Sequence, residues 1–184
     1  MAGRARRANG SRSWRLLRRG GAGEQPSPDR GTILLVIVLF LDVDGVLRRH
    51  NAPRYRLEPA CLEAFENAMR WIPNAEIVIS SSWREGFSLG ELRGFFPEGL
   101  RERIIGITPI AQTQDGHARH REVLAFLRAR GLQNRPWVAI DDDREHYPPR
   151  CEVLFIDGSI GFDREAGKRL VLMTLRVEDA ASSG

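Results

Sequence analysis

Ten consecutive residues, Thr32–Leu41 (TILLVIVLFL), are β-branched or apolar without interruption and end abruptly in Asp42-Val43-Asp44-Gly45. A strand with one wet face alternates polar and apolar side chains. One that is apolar on both faces is buried between layers, as in the middle of a parallel sheet covered by helices. The run is too short for a membrane span, which needs about 20 apolar residues. The segment therefore predicts a central strand that delivers carboxylates to one edge of a sheet.

The remaining pattern agrees with that frame. Residues 46–57 (VLRRHNAPRYRL) are polar and contain a Pro, the composition of a flap or loop. Pro59–Trp71 places Leu62, Phe65 and Met69 on one helical face, and Pro73-Asn74 ends it. Further strands are expected at Glu76–Ser80, Ile104–Ile107, Trp137–Ile140 and Glu152–Ile156. Helices are expected at Ser88–Phe95, with Ser88 and Glu91 forming a capping box, and at Arg119–Arg130, stopped by Gly131. A last helix begins near Asp163 and should bury Leu170, Val171 and Leu175. Strands alternating with helices predict one α/β domain with a mostly parallel, five-stranded sheet and helices on both faces. Its ligands should bind beyond the carboxyl ends of the strands.

Charge separates this domain from what precedes it. The whole chain carries +4, but residues 1–30 hold eight Arg against Glu24 and Asp29, whereas residues 31–184 hold 20 basic and 22 acidic side chains. The division expected is an Arg-rich, disordered arm over 1–30, the α/β domain over 31–178 and a flexible tail over 179–184. The arm suits an electrostatic tether to nucleic acid, a solvated tail, an organelle presequence or an upstream extension of the true start. An Arg-rich leader before an apolar run also mimics a signal peptide, but no small-residue cleavage site follows it. Two cysteines, Cys61 and Cys151, make no disulfide framework, and a reducing, cytoplasmic setting is the simplest expectation. Lys168 is the single Lys among 28 basic residues, so a catalytic cation elsewhere has to be Arg.

Three strand ends converge. The first offers Asp42 and Asp44, the second Ser80-Ser81-Ser82-Trp83-Arg84, the fourth Asp141-Asp142-Asp143. At least four acidic groups in one crevice repel one another unless a cation is bound. Oxygen-only ligands suit Mg²⁺, which also favours a phosphate-bearing substrate. Residues two apart in a strand share a side, so Asp42 and Asp44 can address one reacting centre, one as nucleophile and the other as proton carrier.

LFLDVDGVL (39–47) resembles the first motif of the haloacid dehalogenase-like (HAD) phosphohydrolases. IVISSSWR (77–84) and WVAIDDD (137–143) resemble the second and fourth. SSSWR, GITP (106–109), an Arg before a helix and WVAIDD together are similar to the small HAD domain of bacterial RNA-repair proteins. The likeness spans about residues 35–175 and implies a Rossmann-like HAD core. It implies that Asp42 attacks phosphorus to form an aspartyl-phosphate, and that Asp44 protonates the leaving oxygen and then activates water. Mg²⁺ would be held by Asp42, the Asp44 backbone carbonyl, and Asp141 or Asp142. A hydroxyl of Ser81 or Ser80 would bind the phosphate. The bridging Lys or Arg of the third motif would be Arg119 or Arg121, Arg119 fitting the R-x-x-E-V spacing better.

Trp83 and Arg84 have two readings: a platform stacking a base with an Arg meeting phosphate, or a Trp closing the core with an Arg paired to a local carboxylate. His117 and His120 are expected to be polar loop residues, Asp157 a loop or cap residue and Cys151 core. The segments 46–75 and 85–118 are too short to house a cap domain, so the site should be open. An open site suits a bulky substrate such as the end of RNA or DNA. The function expected is therefore Mg²⁺-dependent phosphatase action on a nucleic-acid terminal phosphate or a nucleotide. A phosphoprotein or small-metabolite phosphatase, or an idle HAD-like module binding RNA or protein, are the alternatives. Oligomeric state is left open by the sequence.

Overall fold

A computed structural model of the chain describes residues 35–111 and 116–183. The arm over 1–30, the opening residues of the Thr32–Leu41 segment and the middle of a polar loop expected over Thr108–Ala118 lie outside the described residues. Strand β1 is Ile37–Leu41, and all five of its side chains are buried. It is followed by α1 (Pro59–Met69), β2 (Ala75–Ile79), α2 (Leu89–Gly94), α3 (Glu98–Arg101) and β3 (Ile104–Ile107). Then come α4 (Ala118–Ala129), β4 (Trp137–Asp141), β5 (Val153–Phe155) and α5 (Arg164–Ser182).

The sheet is parallel throughout, in the order β3-β2-β1-β4-β5. Alternation along β1 explains why it reads as apolar on both sides. Ile37, Leu39 and Leu41 join Ile77, Ile79 and Ile140 in a core that includes Phe65 and Met69 of α1 and Leu170 of α5. Val38 and Phe40 point the opposite way, onto Val123, Phe126 and Leu127 of α4. Phe40 meets Phe126 edge-on at 5.8 Å between ring centres. Removing a buried ring of this kind costs about 3–5 kcal/mol. Helices thus cover both faces, and among the described residues no helix is long and apolar enough to cross a membrane.

The Ser88–Glu91 capping box starts α2 as expected, with the Ser88 hydroxyl accepting from the Glu91 amide and the Glu91 carboxylate from the Ser88 amide. Helix α5 differs from expectation in two respects. Its buried stripe is Ala166, Leu170, Thr174 and Val177, whereas Leu175 is exposed and Val171 only partly covered. A stripe spaced by four, four and three residues follows the 3.6-residue period, and Leu175 falls about 100° outside it. The helix also continues through Ser182, past the boundary drawn at 178, on a run of good helix formers at Ala180 and Ala181. Near its end Glu178 accepts from Asn74, which also donates to the carbonyl of Leu35 at the start of the described chain.

Candidate active site

At the carboxyl end of β1 the chain turns sharply. Asp42 is buried, and its Oδ1 accepts the Val43 amide at 2.7 Å. The Val43 carbonyl accepts the amides of Val46, Leu47 and Arg48, and Gly45 takes φ +73° to make the turn. Gly45 is required for space as well: a Cβ there would lie 2.0 Å from Asp142 Oδ2. Asp44 turns outward from Asp42. Arg48 Nη1 donates to its Oδ1 at 2.8 Å and the Trp83 indole N–H to its Oδ2 at 3.1 Å. Arg48 also ties down the following loop by donating to the carbonyls of Ala52 and Pro53.

The end of β4 lies beside Asp42. Asp141 is fully buried and accepts the Tyr147 hydroxyl at 3.2 Å. Asp142 meets His50 Nε2 at 2.5 Å, and Gly158 leaves room for the pair, since a Cβ there would fall 2.7 Å from Asp142 Oδ2. One carboxylate oxygen from each of Asp42, Asp141 and Asp142 lies within 4.8 Å of the others. The Asp44 side chain is not part of this trio.

From β2, Ser80 and Ser81 are both fully buried. The Ser81 hydroxyl interacts with Asp42, whereas the Ser80 hydroxyl has no hydrogen-bond partner among the described residues. Arg119, near the start of α4, donates to the Ser80 carbonyl and brings Nη1 to 3.7 Å from Asp42 and 3.9 Å from Asp141. Arg121 instead donates to the Gly116 carbonyl at 2.7 Å. The two third-motif candidates are therefore separated by position: Arg119 faces the crevice and Arg121 holds the loop before α4.

Trp83 and Arg84 follow their inward readings. Trp83 is 4% exposed and packs against Tyr55, Phe87 and Phe95, so it offers no open platform to a base. The Arg84 guanidinium donates to the carbonyls of Ser80 and Ser81 and to Glu122 at 2.6 Å. Its side chain is 3% exposed. Burial lowers its pKa, and Glu122 opposes that shift. Glu122 also accepts the Ala111 amide and lies 3.6 Å from Arg119, so it links both arginines to the loop after β3. Its sequence signal was the R-x-x-E spacing, which puts Arg119 and Glu122 on one face of α4. Arg48, His50 and Tyr147 had no comparable local signal.

The crevice is electrostatically strained. Burial pushes the Asp42 carboxyl up to about 6; Arg119 pulls it down and Asp141 pushes it further up. Burial also raises Asp142, against the hydrogen bond from His50. Burial disfavours the charge of Arg119, but Asp42 and Asp141 outweigh it and raise its pKa. Both carboxyls are displaced upward chiefly by burial, so their ionised forms are poorly solvated beside Arg119. The donors are all oxygen, the set Mg²⁺ prefers, and the residues fit that ion.

Beyond Asp44 a cleft of about 670 Å³ opens, lined by Arg48, His50, Arg54, Tyr55, Trp83 and Glu85 among others. A larger groove of about 1260 Å³ between α1 and α5 contains none of the strand-end carboxylates. No separate cap domain covers the site among the described residues.

A parallel sheet in the order β3-β2-β1-β4-β5, with an Asp-x-Asp at the central strand and acidic residues at its neighbour, defines a HAD-type core. The family model described as "HAD domain in Swiss Army Knife RNA repair proteins" matches residues 38–166, well over half of the chain, and the protein belongs to that family. No curated protein and no solved structure matches it.

Proposed function

We propose that this protein is a Mg²⁺-dependent phosphatase that removes a terminal phosphate from a nucleic acid or a nucleotide through an aspartyl-phosphate. The observation that carries the reading is the division of labour at one turn. Asp42 is buried among Arg119, Ser81 and two further carboxylates, whereas Asp44 is held apart at the mouth of a cleft.

An Asp42 carboxylate oxygen attacks phosphorus as the bond to the leaving oxygen breaks, and Asp44 gives that oxygen its proton. Asp44 then takes a proton from water, whose oxygen attacks the same phosphorus. The bond to Asp42 breaks, phosphate departs, and Asp44 is left protonated for the next cycle. Arg119 and the Ser81 hydroxyl, with Ser80 as the alternative, neutralise and orient the phosphoryl oxygens; the work is mostly positioning and electrostatics. Asp42, Asp141 or Asp142 and the Asp44 backbone carbonyl would hold Mg²⁺. When bound, it shields the nucleophile's charge and polarises the phosphoryl group.

The nucleic-acid side of the proposal is supported by the family's description as a domain of RNA-repair proteins and by the open site. A cytoplasmic setting accords with two free cysteines, Cys61 and Cys151. The test is a phosphatase screen with and without Mg²⁺ over 3′-phosphorylated oligonucleotides, nucleotides and phosphopeptides. Turnover by the wild type that requires Mg²⁺ and disappears in Asp42→Asn is expected. No turnover by the wild type, or undiminished turnover by the variant, overturns the mechanism.

A further inference from the structure

The loop between β1 and α1 holds an aromatic ring in a conformation that bulky residues avoid. Tyr55 has φ +57°, in the left-handed region, and the residue is 52% exposed. A bulky residue at positive φ marks a backbone that its surroundings hold in place, and such residues cluster at ligand sites. The surroundings here are aromatic. Tyr55 meets Trp83 at 5.4 Å and Phe87 at 5.1 Å between ring centres, both edge-to-face. The ring is anchored without being stacked or covered, and it lines the cleft that begins at Asp44. Arg54, its exposed neighbour, lines the same cleft and has no partner among the described residues.

Direction follows from the chemistry. Asp44 belongs to both the strand-end carboxylates and the cleft, and the oxygen it protonates is the leaving oxygen. Whatever extends from that oxygen lies in the cleft. We infer that Arg54 and Tyr55 form a leaving-group subsite. Tyr55 stacks on the base of the terminal nucleotide, and Arg54 receives the charge of the next phosphodiester. Stacking of this kind tolerates any base, since every base has a π-face. The inference rests on the phosphatase reading above and names the residues that would choose the substrate.

The experiment measures kcat/KM with Mg²⁺ for a 3′-phosphorylated trinucleotide, the same trinucleotide with an abasic 3′ residue, and β-glycerophosphate. The wild type is expected to favour the base-bearing trinucleotide over the abasic one by roughly ten- to a hundredfold. That ratio should collapse to within about twofold in Tyr55→Ala and persist in Tyr55→Phe. Arg54→Gln should weaken the dependence of the trinucleotide rate on salt. Equal losses on all three substrates in Tyr55→Ala would mean that the ring only supports the loop, and would overturn the subsite. Wild-type activity indifferent to the base would overturn it too, with the phosphatase reading intact. Without turnover, the phosphatase reading fails separately, and binding of the trinucleotide decides. Weaker binding by Tyr55→Ala than by Tyr55→Phe supports the platform, and equal binding rejects it.

Discussion

The strand-end crevice and the loop beside it meet at Asp44 but are made in opposite ways. Asp42, Asp141, Ser81 and Arg119 are buried, and each is fixed by the register of a parallel sheet or the start of a helix. Arg54 and Tyr55 are exposed, on a polar loop shaped by Arg48 and by packing against Trp83 and Phe87. Under the proposed function the difference separates two tasks. Groups that act on phosphorus, common to every phosphate ester, would belong to the rigid edge. Groups that meet the variable remainder of a substrate would belong to a loop that can change without disturbing the sheet.

The sharpest way to break this division is Asp42→Asn. It should lower turnover at least about a thousandfold on every substrate, since Asp42 is the nucleophile of the proposed mechanism. Steady-state rates on the three substrates above check it. A variant that loses one substrate and keeps another would place selectivity in the crevice and dissolve the contrast.

A second prediction concerns the two buried arginines that share Glu122. Arg84→Ala leaves Glu122 buried without its closest partner and should destabilise the fold by about 3–5 kcal/mol, read from the denaturant midpoint. Arg119→Ala should instead lower kcat about a hundredfold, with the smaller change in stability. If the two effects exchange places, Arg84 serves the ligand and Arg119 the framework.

The carboxylates were legible in the sequence because strand ends are local features: an apolar run stopping at Asp is visible without coordinates. The sheet was legible for the same reason, since alternation and helical periodicity repeat within a few residues. What Trp83 and Arg84 do was not settled by sequence, because stacking on a base and closing a core ask for the same side chains. The partner of Arg84 decides the matter, and Glu122 lies 38 residues further on. Tyr55 had no signal either, for neither a positive φ nor an aromatic neighbour across the chain leaves a trace in residue order. Likewise, Leu175 is apolar yet lies one residue beyond a buried stripe that runs through the polar Thr174.

The crevice's charge gives a pH test without metal. Asp42 titrates near 6 in the folded protein and near 3.8 when exposed, so the unfolded state releases its proton first as pH rises. Its carboxyl therefore opposes folding increasingly between about pH 4 and 6, and by up to about 3 kcal/mol above that. In EDTA, Asp42→Asn should melt higher than the wild type at pH 7.5, and the gap should close as pH falls toward 4. Adding Mg²⁺ should narrow the gap at pH 7.5 by stabilising the wild type more. Equal melting temperatures at all pH values would mean that burying the Asp42 carboxylate carries no cost.

The smallest effect probes the junction itself. Trp83→Phe keeps an aromatic ring against Phe95 and Tyr55 but removes the N–H that meets Asp44 at 3.1 Å. Arg48 still holds the other carboxylate oxygen, so Asp44 loses half of its alignment rather than its place. One hydrogen bond to such a group corresponds to about a tenfold fall in kcat. That fall should be the same for the trinucleotide, its abasic counterpart and β-glycerophosphate, because in the proposed mechanism the proton goes to the leaving oxygen in each. A loss confined to the base-bearing substrate would mean that Trp83 acts through Tyr55, and the border between the two regions would lie on the crevice side of Asp44.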